Sequence, residues 1–192
     1  MKKNAIMTVL FFLVIPLFLS AQERNVLKTG DTVPLFSAMD DSNREWALKD
    51  YLGKKNIVVY FYPAAMTGGC TIQACAYRDD YENIENADAI VVGISGDEVE
   101  NLQLFKKAYD LNFPLLSDPK GEIAGKFGVP YREGGSIQRE IEGTEFTLNR
   151  GVTSVRWTFI IDKQGKISYI NQEVDAANDS QNVLQMLKGL NE

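Results

Sequence analysis

The chain has 192 residues, enough for one domain with a hydrophobic core. Its apolar and charged fractions, 45% and 24%, are those of a globular protein and exclude a disordered chain. The formal net charge is −6 and the chain has no basic run, so we expect no nucleic-acid partner. Because it contains no histidine, histidine triads and histidine metal sites are excluded, and we expect neither a metal nor a cofactor.

Residues 1–21 are typical of a secretory signal peptide. Lys2 and Lys3 give a positive start, an apolar run covers residues 6–19, and Ala21 precedes a polar stretch. The apolar run is shorter than the roughly 20 residues that a membrane-spanning helix needs. We therefore expect cleavage after Ala21 and a mature domain of residues 22–192 in an exported, periplasmic location. Retention of the segment as a membrane anchor is the alternative.

Strand and helix patterns alternate from residue 26 onward. Residues 57–61 form a continuous β-branched and aromatic run, as in a buried central strand. A helical pattern covers residues 74–84, and a second buried strand covers residues 89–94. The stretch 95–98 has the spacing of a capping box for the next helix, and a short strand is predicted at residues 114–116.

The C-terminal part predicts a hairpin and a last helix. Residues 157–161 and 167–170 are strands on either side of a turn, and a helix follows Asp179. Residues 131–153 are polar and rich in glycine, which favours a long surface excursion, such as a hairpin, over a separate domain. These patterns together predict an α/β protein with a central mixed sheet flanked by helices.

Cys70 and Cys75 are the only cysteines of the chain, and they lie between the first buried strand and a predicted helix. A cysteine attacks only as the thiolate, which a helix N-terminus favours through its unpaired N–H groups and dipole. We expect Cys70 to lie at this position. Gly68 and Gly69 allow a substrate to approach the backbone closely, and Thr67 offers a hydroxyl that can donate or accept.

The same segment resembles the active-site segment of peroxiredoxins. The resemblance lies in Phe61-Tyr62-Pro63, Thr67, Gly69-Cys70-Thr71, Ala74-Cys75 and Arg78-Asp79, with the pattern Pro-x-x-x-Thr-x-x-Cys. Gly30-Asp31, residues 48–54 and residues 155–162 are also similar to that family. A second cysteine five positions after the first resembles the Q-type branch, also called bacterioferritin comigratory protein. The resemblance implies a thioredoxin-like fold and a thiol-dependent peroxidase of hydrogen peroxide and alkyl hydroperoxides.

The resemblance also implies a role for each site residue. Cys70 would be the peroxidatic cysteine, and Thr67 would hydrogen-bond the peroxide. Arg156 would stabilise the thiolate and orient the peroxide oxygens, while Pro63 would fix the turn after the strand. Cys75 would be the resolving cysteine that forms a disulfide with Cys70. A thioredoxin-like protein would reduce that disulfide, and we expect a monomer.

The spacing of the two cysteines makes a mechanical prediction. Residues five apart on a regular helix have Cα atoms roughly 8–9 Å apart and project about 140° apart. A disulfide needs Cα atoms closer than about 7 Å. We therefore expect the first turns of this helix to unwind when Cys70 and Cys75 are joined.

One departure from the family pattern lies at Gly68, where proline is usual. Glycine predicts a more mobile loop, and hence weaker protection against over-oxidation or a slower first step. Two other interpretations stay open from the residues alone. These are an exported thiol–disulfide protein, although such proteins normally have Cys-x-x-Cys, and a non-catalytic binding module with a structural disulfide. A copper-delivery protein is disfavoured because it would need a histidine, which the chain lacks.

Overall fold

The computed structural model describes residues 26–190. The predicted signal peptide, residues 1–21, lies outside the described residues. Within residues 26–190 no helix combines the length and the apolar character that crossing a membrane requires.

The described residues form nine strands and five helices, with a short 3₁₀ turn at Leu48–Asp50. The strands are β1 (Ser37–Met39), β2 (Glu45–Ala47), β3 (Asn56–Phe61), β4 (Ala89–Ser95), β5 (Leu115–Ser117), β6 (Tyr131–Ile141), β7 (Thr144–Ser154), β8 (Trp157–Ile161) and β9 (Ile167–Asn171). The helices are α1 (Gly68–Asp79), α2 (Tyr81–Asn86), α3 (Val99–Tyr109), α4 (Glu122–Phe127) and α5 (Asp179–Leu190).

Five strands form the central sheet in the order β5-β4-β3-β8-β9. The pairs β3–β4 and β4–β5 are parallel, whereas β3–β8 and β8–β9 are antiparallel. The predicted mixed sheet is therefore confirmed. Every residue of β3 is buried, as its apolar sequence predicts for a strand covered on both faces.

Successive side chains of β3 point into two different cores because side chains alternate along a strand. Val58 and Tyr60 join a core formed with α1, α2, α3 and α5. Ile57, Val59 and Phe61 join a second core, which includes residues of α4. The loop after β3 emerges from between these two cores, and this loop leads directly into α1.

The prediction of a single helix over residues 74–84 is wrong, because two helices, α1 and α2, cover these residues. The backbone leaves helical geometry at Asp80, where φ is −94° and ψ is 2°. The Asp80 carboxylate accepts hydrogen bonds from Ser180 Oγ at 2.6 Å and Gln181 Nε2 at 2.7 Å. The break between α1 and α2 is thus tied to the start of α5, a contact far away in sequence.

The capping box predicted over residues 95–98 is also wrong. Ser95 ends β4, and its hydroxyl donates to the Asp97 carboxylate at 2.8 Å. The Glu98 N–H, which the Ser95 oxygen would accept in a capping box, donates to the Asn149 carbonyl at 3.2 Å instead. Glu98 is the N-cap of α3 and makes no side-chain cap hydrogen bond. Asp97 turns inward and also accepts the Ala65 N–H at 2.8 Å, so this turn supports the loop after β3.

The excursion at residues 131–153 is a long hairpin, as the sequence favoured. Strands β6 and β7 pair from Tyr131–Ser154 to Ile141–Thr144. Their apolar side chains Ile137, Phe146 and Leu148 pack against the first core. Arg139 Nε donates to the Met66 carbonyl at 2.8 Å. The hairpin therefore contacts the loop between β3 and α1.

Candidate active site

Cys70 lies in the first turn of α1, with a side chain that is 2% exposed. The helix begins at Gly68, and Thr67 is its N-cap, whose carbonyl accepts the Thr71 N–H at 2.8 Å. The N–H groups of a first helical turn have no intrahelical partner and attract an anion. The position expected for Cys70 is therefore confirmed.

Arg156 reaches Cys70 because of the sheet topology. Trp157 of β8 pairs with Phe61 of β3, which places the start of β8 beside the end of β3. Arg156 Nη2 donates to the Cys70 sulfur at 3.2 Å. A side chain at Gly69 would place its Cβ 3.3 Å from the same nitrogen. Glycine at this position therefore leaves room for the guanidinium against the sulfur.

Thr67 and Pro63 form two further parts of the site. The Thr67 hydroxyl donates to the Ala64 carbonyl at 2.8 Å, so its oxygen remains able to accept. Pro63 follows β3 and is half-buried. Together with Arg156, Pro63 lines an open hollow of about 510 Å³, whose other walls include the apolar Pro130 and Val155.

Cys75 is half-buried on the same helix, and both cysteines are free thiols. Helix α1 runs without a break from Gly68 to Asp79, so both thiols stand on one regular helix. At this spacing the helical form cannot hold a Cys70–Cys75 disulfide.

Two residues that the sequence analysis did not single out join this site. Gln73 Oε1 accepts a hydrogen bond from Arg156 Nη1, and Gln73 Nε2 donates to Asp179 Oδ2 at 2.7 Å. Both Gln73 and Asp179 are fully buried. Gln73 could have been suspected, because a residue three positions after Cys70 lies on the same helical face. No local signal points to Asp179, since it arrives from α5.

The buried hydroxyls around the site stay protonated. Burial raises the pKa of Tyr60, Tyr62 and Tyr77 well above 10.0, and the nearby Asp179 carboxylate raises the pKa of Tyr77 further. Tyr77 can therefore donate, and its hydroxyl does donate to Asp179 Oδ2 at 2.7 Å. These tyrosines are core residues, as the sequence favoured for Tyr62 and Tyr77.

Comparisons with known sequences identify the family. The model of the AhpC/TSA family matches residues 29–170. Peroxiredoxin Bcp of Escherichia coli strain K12 is 37% identical over 164 residues, which cover 85% of this chain and 97% of that protein. Chloroplastic peroxiredoxin Q of Oryza sativa subsp. japonica is 36% identical over 162 residues, which cover 84% of this chain and 67% of that protein.

Solved structures agree with these sequence relatives. Peroxidoxin BcpB from Mycobacterium tuberculosis has a TM-score of 0.71 at 33% identity, covering 85% of this chain and 98% of that chain. A cysteine-to-serine mutant of PrxQ from Xylella fastidiosa has a TM-score of 0.73 at 24% identity, covering 88% of this chain and 99% of that chain. This likeness supports the fold. The chain therefore belongs to the AhpC/TSA family, as a thiol-dependent peroxidase of the Bcp and Q-type peroxiredoxins with their thioredoxin-like fold.

Proposed function

We propose that Cys70 is the peroxidatic cysteine and reduces hydrogen peroxide and alkyl hydroperoxides. The observation that carries this assignment is the 3.2 Å contact between Arg156 Nη2 and the Cys70 sulfur in the first turn of α1. The Cys70 thiolate attacks one peroxide oxygen, and the O–O bond breaks as the S–O bond forms. Cys70 becomes a sulfenic acid, and the second oxygen takes a proton and leaves as water or alcohol.

Arg156 and Thr67 are placed to bind the peroxide during this step. The guanidinium is a fixed fork of donors that can stabilise negative charge as it spreads from sulfur to oxygen. The Thr67 oxygen can accept the peroxide O–H, because its own hydrogen is donated to Ala64. Pro63 forms one wall, and the hollow beside it offers apolar surface for the alkyl part of an organic hydroperoxide.

Cys75 is the resolving cysteine in this proposal. Its thiolate attacks the Cys70 sulfenic acid, the S–S bond forms, and the oxygen leaves as water after taking a proton. The first turns of α1 unwind to bring the two sulfurs together, since the intact helix holds them apart. A thioredoxin-like dithiol then supplies two electrons and restores both thiols, and the protein works as a monomer.

An exported location follows from the signal-peptide pattern of residues 1–21. The reductant would then be an exported or membrane-tethered thioredoxin-like protein, because a cytosolic one could not reach the disulfide. Mass spectrometry of the protein recovered from a cell-envelope fraction should show Gln22 as the first residue. Recovery of the uncleaved chain in the membrane would favour the anchored alternative.

Two cysteine variants test the catalytic assignment. The reduced wild-type protein should consume peroxide and then contain a disulfide between Cys70 and Cys75. Cys70→Ser should lose the activity completely. Cys75→Ser should complete one turnover and stop at the sulfenic acid. The assignment of Cys70 is wrong if Cys70→Ser still consumes peroxide at the wild-type rate. The assignment of Cys75 is wrong if Cys75→Ser is recycled normally.

A further inference from the structure

Asp179 is a fully buried carboxylate at the start of α5 that joins three parts of the molecule. One oxygen, Oδ2, accepts hydrogen bonds from Gln73 and Tyr77 of α1 and from Thr158 of β8, each at 2.7 Å. The other oxygen, Oδ1, is buried and accepts none from residues 26–190. A charged acceptor makes stronger hydrogen bonds than a neutral one. Asp179 is therefore a strong anchor for α1.

The anchor continues into the reaction centre through Gln73. The amide nitrogen of Gln73 donates to Asp179, while its oxygen accepts from Arg156. The other arm of the Arg156 guanidinium donates to the Cys70 sulfur. A continuous chain of hydrogen bonds therefore runs from Asp179 to the sulfur, although Asp179 itself does not touch Cys70.

Gln73 also lies on the part of α1 that has to unwind. It stands between Cys70 and Cys75, whereas Tyr77 lies beyond both cysteines. When the segment between the cysteines unwinds, the Gln73 bonds to Arg156 and Asp179 must break. The buried carboxylate then loses one of its three donors, which has a cost in free energy. The bond from Gln73 to Asp179 therefore stabilises the wound form of the helix.

We propose that Asp179 is a positioning residue that acts through Gln73 on both steps of the reaction. Because it fixes Gln73, it holds Arg156 against Cys70 and speeds the attack on peroxide. Because the same bond keeps α1 wound, it slows the formation of the Cys70–Cys75 disulfide. The first effect makes the sulfenic acid form faster, and the second lengthens its lifetime. This inference rests on the proposed roles of Cys70 and Cys75.

The test separates the two steps by stopped-flow tryptophan fluorescence, for which Trp157 lies next to Arg156. Asp179→Asn keeps the size of the side chain and removes the charge that strengthens all three hydrogen bonds. We expect the rate constant of peroxide attack to fall about tenfold and that of disulfide formation to rise several-fold. Mass spectrometry should show a smaller fraction of Cys70 sulfinic acid at each peroxide concentration, because the sulfenic acid is consumed sooner.

Ser180→Ala is the matched control. It removes the hydrogen bond from Ser180 to Asp80, which also joins α1 to α5 but lies beyond Cys75. Both rate constants should stay within about twofold of the wild type. If these variants act only by loosening the contact between α1 and α5, Ser180→Ala would change both rate constants as much as Asp179→Asn does.

Gln73→Met provides a second route if Asp179→Asn does not fold. It cuts the same chain of hydrogen bonds and should also slow attack and speed disulfide formation. Where Asp179→Asn does fold, the effects of Asp179→Asn and Gln73→Met should not add in the double variant, because both changes break one chain of hydrogen bonds.

The proposal is overturned if Asp179→Asn slows both steps or changes neither. It is also overturned if the effects of Asp179→Asn and Gln73→Met are additive. If the wild type forms no Cys70–Cys75 disulfide at all, the role of Cys75 is wrong instead. The effect of Asp179 on the attack step can still be measured in that case.

Discussion

Gly68 is the residue at which this chain departs from the peroxiredoxin pattern, and the structure places it at the first position of α1. The N–H group at this position has no intrahelical partner, so proline is well tolerated there. Thr67 before it has φ −109° and ψ 149°, which is the extended conformation that a residue before proline prefers. A Cβ at residue 68 would meet no atom within 4 Å.

We therefore predict that Gly68→Pro folds normally and slows disulfide formation. On this view glycine shortens the lifetime of the sulfenic acid, which is the opposite of the weaker protection against over-oxidation expected from the sequence. Proline restricts the unwound segment and should stabilise the wound helix by about 0.4–1 kcal/mol. That corresponds to a roughly two- to fivefold slower step, measured as the rate at which the Cys70–Cys75 disulfide appears. Val99→Pro is the matched control, because Val99 is also the first residue of a helix, α3, and follows the extended Glu98 with ψ 155°. It should leave the disulfide rate unchanged. Equal disulfide rates in Gly68→Pro and the wild type would contradict the prediction.

Local sequence was sufficient to predict which residues lie next to the Cys70 sulfur. The Pro63, Thr67 and Cys70 pattern is contiguous, and the structure places all three in the same loop and helix start. Gln73 and Asp179 were missed for different reasons. Gln73 resembles an ordinary polar helix residue until its burial is known, and Asp179 acquires its partners only when α5 packs on α1.

The β6–β7 hairpin is the element whose role the sequence could not assign. Arg139 on β6 donates one hydrogen bond to the Met66 carbonyl, in the loop that ends at Thr67. Met66 itself has a φ of 59°, an uncommon conformation for a residue with a side chain. The hairpin therefore helps to hold a strained loop that carries the N-cap of α1.

We predict that Arg139→Ala lowers the rate of peroxide attack roughly two- to twelvefold, because a hydrogen bond of this kind contributes about 0.5–1.5 kcal/mol. Stopped-flow measurement of the first turnover checks this. Lys120→Ala removes the same positive charge from an exposed position and should leave the rate unchanged. If both variants react at the wild-type rate, the hairpin does not position the loop.

Strands with strong apolar patterns were predicted to within one residue at each end, whereas the break between two helices and a helix cap were not predicted. β3, β4, β8 and β9 were recognised because buried strands have continuous or alternating apolar residues. The break at Asp80 was missed because its cause is a pair of hydrogen bonds from Ser180 and Gln181. The false capping box had a similar cause, since Ser95 bonds to the inward-turned Asp97.

At the scale of the whole molecule, Asp97 links three regions that surround the site. Its carboxylate accepts from Ala65 after β3 and from Ser95 at the end of β4, and Arg150 of β7 lies near enough to interact electrostatically. Burial raises the pKa of Asp97 above 3.8, and the nearby Glu98 charge raises it further. Hydrogen bonds from Ala65 and Ser95 and the charge of Arg150 act to lower it. The folded protein therefore favours the protonated carboxyl more than the unfolded chain does.

The sign of the pH effect follows from this raised pKa. The stability that protonated Asp97 contributes is fully present below 3.8 and is lost as the pH rises through the folded-state pKa. Asp97→Asn cannot ionise, so its stability relative to the wild type should improve as the pH rises from 3.8 through the folded-state pKa of Asp97. Each unit of raised pKa corresponds to about 1.4 kcal/mol. Urea unfolding of both proteins measures the difference, and a difference that is constant with pH would contradict the prediction.

The sequence by itself determined the α/β fold class and the local segment in which Cys70 and its immediate neighbours lie. Buried strands, helix starts and the Pro-x-x-x-Thr-x-x-Cys pattern are local features, and each is set by residues within a few positions. The resemblance to peroxiredoxins named Arg156, but only the tertiary structure decided how Arg156 reaches the sulfur and which other distant side chain joins the site. The antiparallel pairing of β8 with β3 brings Arg156 to Cys70, and the packing of α5 on α1 brings Asp179 to Gln73. Such contacts depend on how the sheet and helices pack together, and no sequence period encodes that packing.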